Sequence, residues 1–247
     1  MSAGWVMHVN AKIRRRIEMS ITLPKTKILL ALLLLLCVPA TAAAQGADDY
    51  PANWCRNGLF PSDDAGFRLA KVGGNWTARV HFFNDDGDCP RYEVKCETKR
   101  YLVTGDQVLV SRTYGRWVCG WYQPRKGGET VGWLLADKLV LSESPARPAL
   151  ASWVGLWKYA GKSLDIRRDG KPGLLKVKGQ AVWEGAGANV RVGGVEAAAR
   201  PEGNELVLAD EECWVSLKLV GDYLVAKDNS ECGGVNVRLN GVFRKGR

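Results

Sequence analysis

Residues 101–141 most constrain the fold, because their apolar and polar side chains alternate between closely spaced glycine turns. A period of two is typical of β-strands with one face buried and the other in solvent. Turns at Gly105-Asp106, Gly115-Arg116 and Gly127-Gly128 divide the segment into three or four short strands. The rest of the chain after residue 44 also lacks convincing helical periodicity. We therefore predict an all-β protein.

The order of motifs in this segment resembles the bacterial SH3-like (SH3b) domain. That family has a Gly-Asp turn before a central strand, a Trp in the next strand and a Gly-Trp pair at the start of the last. The corresponding residues here are Gly105-Asp106, Trp117 and Gly132-Trp133. The resemblance implies a small β-barrel that binds a component of the cell envelope and does no chemistry. Two stretches, 67–72 and 76–83, are predicted to complete this barrel.

The first 44 residues have the features of a secretory signal peptide. Lys25 and Lys27 precede an apolar run at 28–38, and three alanines, Ala42-Ala43-Ala44, follow it. The run is shorter than the about 20 residues needed to cross a membrane. We expect cleavage after Ala44, with cleavage after Ala42 as the alternative, and a periplasmic or secreted protein without a stable membrane span.

Two further expectations concern this leader. Met19 is an alternative start, because it would give a leader of ordinary length. Cys37 is not expected to carry a lipid, because Leu36 stands where a lipidation motif has a small residue. Intact mass of the exported protein tests both the cleavage site and the absence of lipid.

The charge of residues 45–247 argues against nucleic-acid binding. The leader holds six basic residues and one acidic residue, so the net charge of +9 for the whole chain falls to +4 after cleavage. No block of five like charges occurs in the remaining sequence. The basic footprint of a DNA or RNA binder is therefore missing.

The six cysteines after the leader predict three disulfides, because an even count is typical of exported proteins. Four lie before and two after a Pro-rich stretch at 142–152, which we interpret as a linker between domains at 50–141 and 153–247. Three connectivities of the first four are possible, and we favour Cys89–Cys96 and Cys55–Cys119. Cys213–Cys232 follows if each half pairs internally. No C-x-x-C pair occurs, so no metal is predicted.

The second half is predicted to be a small antiparallel up-and-down barrel. Ten short strands are separated by turn signals, among them separate strands at 174–177, 181–183, 189–192 and 195–199. Closure of such a meander hides its edge strands. Gly155-Leu156-Trp157 and Arg244 resemble the lipocalin or calycin pattern, which implies that Arg244 covers Trp157. The sequence leaves open whether this half binds a small molecule or a protein.

We expect no enzymatic activity and no cofactor. His81 is the only histidine after the leader, and it stands beside Phe82 and Phe83, where a structural role is the commoner one. The motifs of serine hydrolases, zinc proteases and phosphate-binding loops are missing. Asp210, Glu211 and Glu212 are consecutive, whereas glycosidases place two carboxylates across a cleft.

Aromatic residues beside cations provide the case for binding. Trp121 and Tyr122 precede a polar turn with Arg125 and Lys126, and we expect both rings to reach solvent, whereas Trp117 and Trp133 are predicted to lie in the core. Rings and cations together suit a peptide or an acidic glycan. The predicted function is a non-enzymatic exported binding protein that recognises peptidoglycan or an envelope protein.

The alternative function is inhibition of a secreted hydrolase, such as a protease or lysozyme. A disulfide-tied barrel suits that task because a preorganised loop avoids much of the ordering cost of binding. The candidate loop is the polar turn at residues 228–231, just before Cys232.

Overall fold

The computed structural model describes residues 54–74, 79–124, 126–187 and 189–246. Within these ranges fifteen strands form two antiparallel sheets, which confirms the predicted all-β class. The strands of the first sheet are β1 (Arg68–Val72), β2 (Val80–Phe83), β3 (Glu97–Leu102), β4 (Gln107–Tyr114), β5 (Trp117–Tyr122), β6 (Thr130–Leu135) and β7 (Leu139–Ser142). Those of the second are β8 (Gly155–Tyr159), β9 (Lys162–Arg168), β10 (Leu175–Glu184), β11 (Val190–Ala199), β12 (Glu205–Asp210), β13 (Cys213–Val220), β14 (Tyr223–Asp228) and β15 (Gly241–Lys245).

Helical structure in the described ranges is confined to single turns. These are two short α-helices, α1 (Glu93–Cys96) and α2 (Leu150–Trp153), and two 3₁₀ turns, Phe60–Ser62 and Ala136–Lys138. No helix in this part of the chain has the length and apolar character that crossing a membrane requires.

The first sheet has the strand order β3-β2-β6-β5-β4-β1-β7. Gly120 of β5 lies opposite Gly132 of β6, and both positions require the absence of a side chain. A Cβ atom on Gly132 would lie 2.8 Å from the carbonyl oxygen of Phe83, and one on Gly120 would lie 2.6 Å from Leu134 Cδ1. The strand predicted at 67–72 is β1. Of the stretch at 76–83, residues 76–78 lie outside the described residues and the remainder contains β2.

The second sheet is an up-and-down barrel, as predicted. Each strand from β8 to β11 and from β12 to β15 pairs with the next, and β15 returns to pair with β8. The barrel is incomplete only between β11 and β12, where the backbone amide of Glu196 donates to Asp210 Oδ2 at 2.9 Å. One side chain therefore bridges the gap that backbone pairing leaves open.

Four of the predicted strands of this barrel are in fact two long ones. All but the first residue of 174–177 and all of 181–183 lie in β10, and all but the first residue of 189–192 and all of 195–199 lie in β11. The prediction was wrong because Gly179 and Gly193 lie inside strands rather than in turns. A Cβ atom on Gly193 would lie 2.3 Å from the carbonyl oxygen of Cys232, so glycine allows the close approach of the loop that contains Cys232.

All three favoured disulfides are present. Cys55 pairs with Cys119, Cys89 with Cys96, and Cys213 with Cys232, which confirms the predicted pairing. None joins a cysteine of the first sheet region to one of the second.

The basic residue that covers Trp157 is not the predicted one. Lys245 Nζ lies 5.1 Å from the centroid of the Trp157 ring, and Lys245 is the register partner of Trp157. Arg244 instead lies 5.0 Å from the Tyr223 ring and donates to the carbonyl oxygen of Gln123. The assignment of Arg244 was wrong by one residue, and adjacent residues of a strand point to opposite faces.

An apolar cluster joins the two sheets. Val220, Tyr223, Val225 and Val242 are on the second sheet, and they are buried against residues of the first sheet region. Within the predicted linker at 142–152, Ser142 ends β7 and Leu150 begins α2, whose last residue, Trp153, is fully buried in the core of the second barrel. The residues of this apolar cluster that belong to the first sheet region are Cys55, Phe60, Leu69, Phe83, Cys96, Leu109, Trp117, Cys119, Trp121 and Trp133.

Candidate functional site

Trp121 is not an exposed binding surface. Its side chain is 2% exposed, its ring meets Tyr223 edge-on at 5.5 Å, and its Nε1 donates to Glu129 Oε2 at 2.7 Å. The expectation that this ring reaches solvent was wrong, because β5 is covered on both faces. Val118 packs in the core of the first barrel, whereas Trp121 packs toward the second. Trp117 and Trp133 are buried, as predicted.

The other three predicted residues have different outcomes. Arg125 lies outside the described residues. Lys126 is exposed at the loop that follows β5, and Tyr122 is half-buried at the end of that strand. Of the predicted set, Tyr122 is therefore the residue that the structure places in a surface groove.

This surface, the Tyr122 groove, has a volume of about 670 Å³. It lies between the β3–β4 turn and the loop that joins β5 to β6. Such a volume is within the range of ligand sites. The residues that line it are Phe82, Lys99, Arg100, Tyr101, Val103, Asp106, Tyr122, Pro124, Gly127, Gly128 and Thr130.

The polar end of the groove is held by Asp106. Asp106 Oδ2 accepts a hydrogen bond from the backbone amide of Val103 at 2.9 Å, across a turn in which Gly105 has a φ of 88°. Burial raises the pKa of Tyr122, and the charge of Asp106 and a hydrogen bond to it raise that pKa further. Tyr122 therefore stays a neutral donor at any physiological pH.

Cations surround the aromatic part of the groove. The guanidinium carbon of Arg79 lies 4.2 Å from the centroid of Tyr101, whose side chain is 37% exposed. Arg100 donates to the carbonyl oxygen of Glu129 at 3.0 Å and to Thr130 Oγ1 at 2.7 Å, so it bridges β3 and the start of β6. With Lys99 also in the lining and Asp106 its one acidic residue, the groove is cationic.

A second surface, the Trp214 groove, was missed by the sequence analysis. It has a volume of about 340 Å³ and lies between the segment before β1 and the outer face of β12, β13 and β14. Trp214 and Val207 are 56% and 46% exposed within it. The residues that line it are Pro61, Asp63, Asp64, Phe67, Glu205, Val207, Trp214, Val215, Ser216, Lys218, Val225, Lys227, Asp228 and Asn229.

The polar loop at 228–231 is anchored at its base. The Asp228 side chain is 8% exposed and accepts hydrogen bonds from the backbone amides of Ser230 and Leu239. Asn229 Oδ1 accepts from the amides of Trp214 and Glu231. The loop is thus a compact turn fixed to β13.

A different loop projects from the first sheet region. The Cys89–Cys96 disulfide closes a segment in which Tyr92 is 61% and Val94 is 94% exposed. Its flanks are fixed, because Arg91 Nε donates to the Tyr114 hydroxyl at 3.2 Å and Glu93 pairs with Arg116. This loop combines a rigid base with an exposed apolar tip.

His81 has structural partners. Its Nδ1 lies 2.9 Å from the carbonyl oxygen of Thr98 and 3.2 Å from Glu97 Oε1, and its ring lies 5.7 Å from that of Tyr101. These contacts connect β2 to β3, and Tyr101 also lines the Tyr122 groove.

No protein-family model, curated protein or solved structure matches the chain.

Proposed function

We propose that this chain is a non-enzymatic exported binding protein of the bacterial cell envelope, and that its SH3-like half recognises peptidoglycan or an envelope protein. The Tyr122 groove is the observation that supports this function. Two tyrosines and a proline line it beside cations, and its one acidic residue, Asp106, is held by the β3–β4 turn.

The chemistry of the groove suits an extended ligand that carries carboxylates. Tyr101 and Tyr122 offer flat apolar faces with a polar tip, which pack against a peptide backbone or a sugar ring. Lys99 and Arg100 supply donors for carboxylates, and hydrogen bonds between charged groups are the stronger kind. A peptidoglycan stem peptide has both features.

Periplasmic or secreted localisation belongs to the same proposal. Disulfides persist in oxidising compartments, and the structure contains three of them. The expected signal peptide lies outside the described residues.

Binding to purified peptidoglycan sacculi tests the function. We expect Tyr122→Ala and Lys99→Glu to reduce the bound fraction, and added salt to reduce it as well, because exposed charges are screened. Tyr92→Ala is the matched control, since Tyr92 is an exposed tyrosine outside the groove.

The two ligand classes are separated by the preparation of the sacculi. Retention on sacculi stripped of protein by hot detergent assigns peptidoglycan, and retention only on untreated sacculi assigns an envelope protein. Equal binding of Tyr122→Ala and the unchanged chain would contradict the proposed groove.

Inhibition of a secreted hydrolase is the second candidate function, and the Cys89–Cys96 loop supports it. A rigid loop with Val94 at its tip pays little ordering cost on entering a cleft. Assays of lysozyme and serine proteases test it, with Val94→Asp expected to abolish inhibition. Full enzyme activity at a large excess of this protein would reject inhibition of those enzymes.

A further inference from the structure

We propose that the Trp214 groove is a second binding site and that its ligand is an uncharged glycan. The site goes beyond the function proposed above, because the two grooves share no lining residue. A variant can therefore lose binding at one groove and keep binding at the other.

The floor of the groove is formed by side chains on the outer face of β12, β13 and β14. The register aligns Glu205, Lys218 and Val225 in one row, and Val207, Ser216 and Lys227 in the next. In the third row Ala209 is opposite Trp214, whose carbonyl oxygen accepts from the amide of Asn229. The three rows span about 13 Å along the strands and the three strands about 10 Å across them, with Val225 buried at one corner against the first sheet region. This platform has the dimensions of a short oligosaccharide.

One side of the platform is walled by the segment before β1. Pro61 is buried there, Phe67 is half-buried, and Asp64 reaches the platform through an ion pair of 2.7 Å with Lys227. The wall converts a sheet face into a groove with apolar surface on its floor and side. Pyranose rings have an apolar face that packs on such a surface and on an aromatic ring.

The polar groups at the rim are oriented before any ligand arrives. Ser216 Oγ donates to Glu205 Oε1 at 2.7 Å, and Lys227 Nζ donates to Asp64 Oδ1 at 2.7 Å. The hydrogen bond from Lys227 and its positive charge hold the pKa of Asp64 below the ordinary value. Each carboxylate keeps an oxygen that can accept from a hydroxyl, and the lysines can donate to one.

The mixture of charges selects an uncharged ligand. Lys218 and Lys227 oppose the binding of a cation in the groove, and the carboxylates of Asp64 and Glu205 oppose the binding of an anion. The other two acids of the lining are engaged within the protein: Asp63 binds Arg112, and Asp228 accepts backbone amides. Sugar hydroxyls, which both donate and accept, match a rim of this kind.

Calorimetric titration of the exported chain with chitotriose and cellotriose tests the inference. We expect one of these trisaccharides to bind, and Trp214→Ala to weaken it roughly tenfold, the effect of losing one aromatic stacking contact. Trp214→Phe should keep part of the affinity. Tyr122→Ala and Tyr92→Ala, in contrast, should leave it unchanged.

A second measurement separates loss of the site from loss of the fold. Trp214 is more than half exposed, so Trp214→Ala should unfold at nearly the same temperature as the unchanged chain. Val207→Asp, placed on the platform beside Ser216, should also abolish binding. The inference is overturned if neither trisaccharide binds at millimolar concentration, if Trp214→Ala binds either one as tightly as before, or if an uncharged peptide binds there instead.

Discussion

Trp121 and Tyr159, from different sheets, share one carboxylate. The indole Nε1 of Trp121 donates to Glu129 Oε2 at 2.7 Å, and the hydroxyl of Tyr159 donates to Glu129 Oε1 at 2.8 Å. Burial raises the pKa of Tyr159, and the hydrogen bond to Glu129 and its charge raise it further. The loop between β5 and β6 is thereby joined to the start of the second barrel.

Glu129→Ala should destabilise the protein, because it leaves the indole N–H of Trp121 without its acceptor in a nearly buried position. We expect a loss of about 1–3 kcal/mol in the free energy of unfolding, measured by urea denaturation. Glu184→Ala is the control, since Glu184 is exposed on β10. Equal urea midpoints for the two variants would mean that the shared carboxylate adds nothing to stability.

Trp121→Ala and Tyr122→Ala should separate core from surface. Truncation of the buried Trp121 should cost about 3–5 kcal/mol. Tyr122 is half-buried in the groove wall, so its truncation should cost less and should act mainly on sacculus binding. Thermal unfolding of both variants, measured beside binding, checks the distinction. A larger fall in melting temperature for Tyr122→Ala would reverse it.

The protein should unfold in a single transition. Tyr223, Val225 and Val242 are buried against the first sheet region, so unfolding of either half exposes apolar surface of the other. We expect equal calorimetric and van't Hoff enthalpies, the sign of two-state behaviour. Two resolved transitions would show that the halves unfold independently.

The three disulfides should contribute unequally. Their sequence separations are 64, 19 and 7 residues for Cys55–Cys119, Cys213–Cys232 and Cys89–Cys96. Loop-closure entropy predicts about 4, 3 and 2 kcal/mol in that order. Paired Cys→Ser variants in urea denaturation test the ranking. The entropic account fails here if removal of Cys89–Cys96 is the most destabilising.

Protonation of Asp63 should account for part of the loss of stability in acid. Burial opposes its ionisation, but hydrogen bonds from Arg112, the amide of Ala65 and Ser111 outweigh burial and hold its pKa below the ordinary 3.8. A carboxyl group whose pKa is lower in the folded state than in the unfolded state stabilises the fold at any pH above its unfolded-state pKa. This stabilisation is lost as the pH falls through its folded-state pKa. Asp63→Asn should therefore be less stable at neutral pH and lose less stability below about pH 4. Urea midpoints across this range measure it, and parallel curves for both proteins would contradict it.

Local patterns in the sequence were sufficient for the class and for much of the topology. Alternation and turn residues predicted an all-β chain and an up-and-down barrel, and the number and grouping of cysteines predicted the pairing. The strands, the turns and the two shorter disulfides depend on neighbours in the chain or on short separations, whereas Cys55–Cys119 spans 64 residues and was one of three connectivities that the sequence left open. The position of Gly193 inside a strand could not be predicted from these features. A glycine in a turn and a glycine in a strand that another backbone segment approaches closely look alike in sequence.

The location of the surfaces was decided only by the tertiary structure. Trp121 and Trp214 both stand in strands with apolar neighbours, yet one is buried and the other more than half exposed. The difference arises because Tyr223, about a hundred residues after Trp121, packs against it, whereas the outer face of β13 at Trp214 stays open. The sequence by itself determined which residues alternate along each strand. The packing of the two sheets against each other decided which face of a strand is buried and which faces solvent. That packing joins residues far apart in the chain, and alternation carries no information about it.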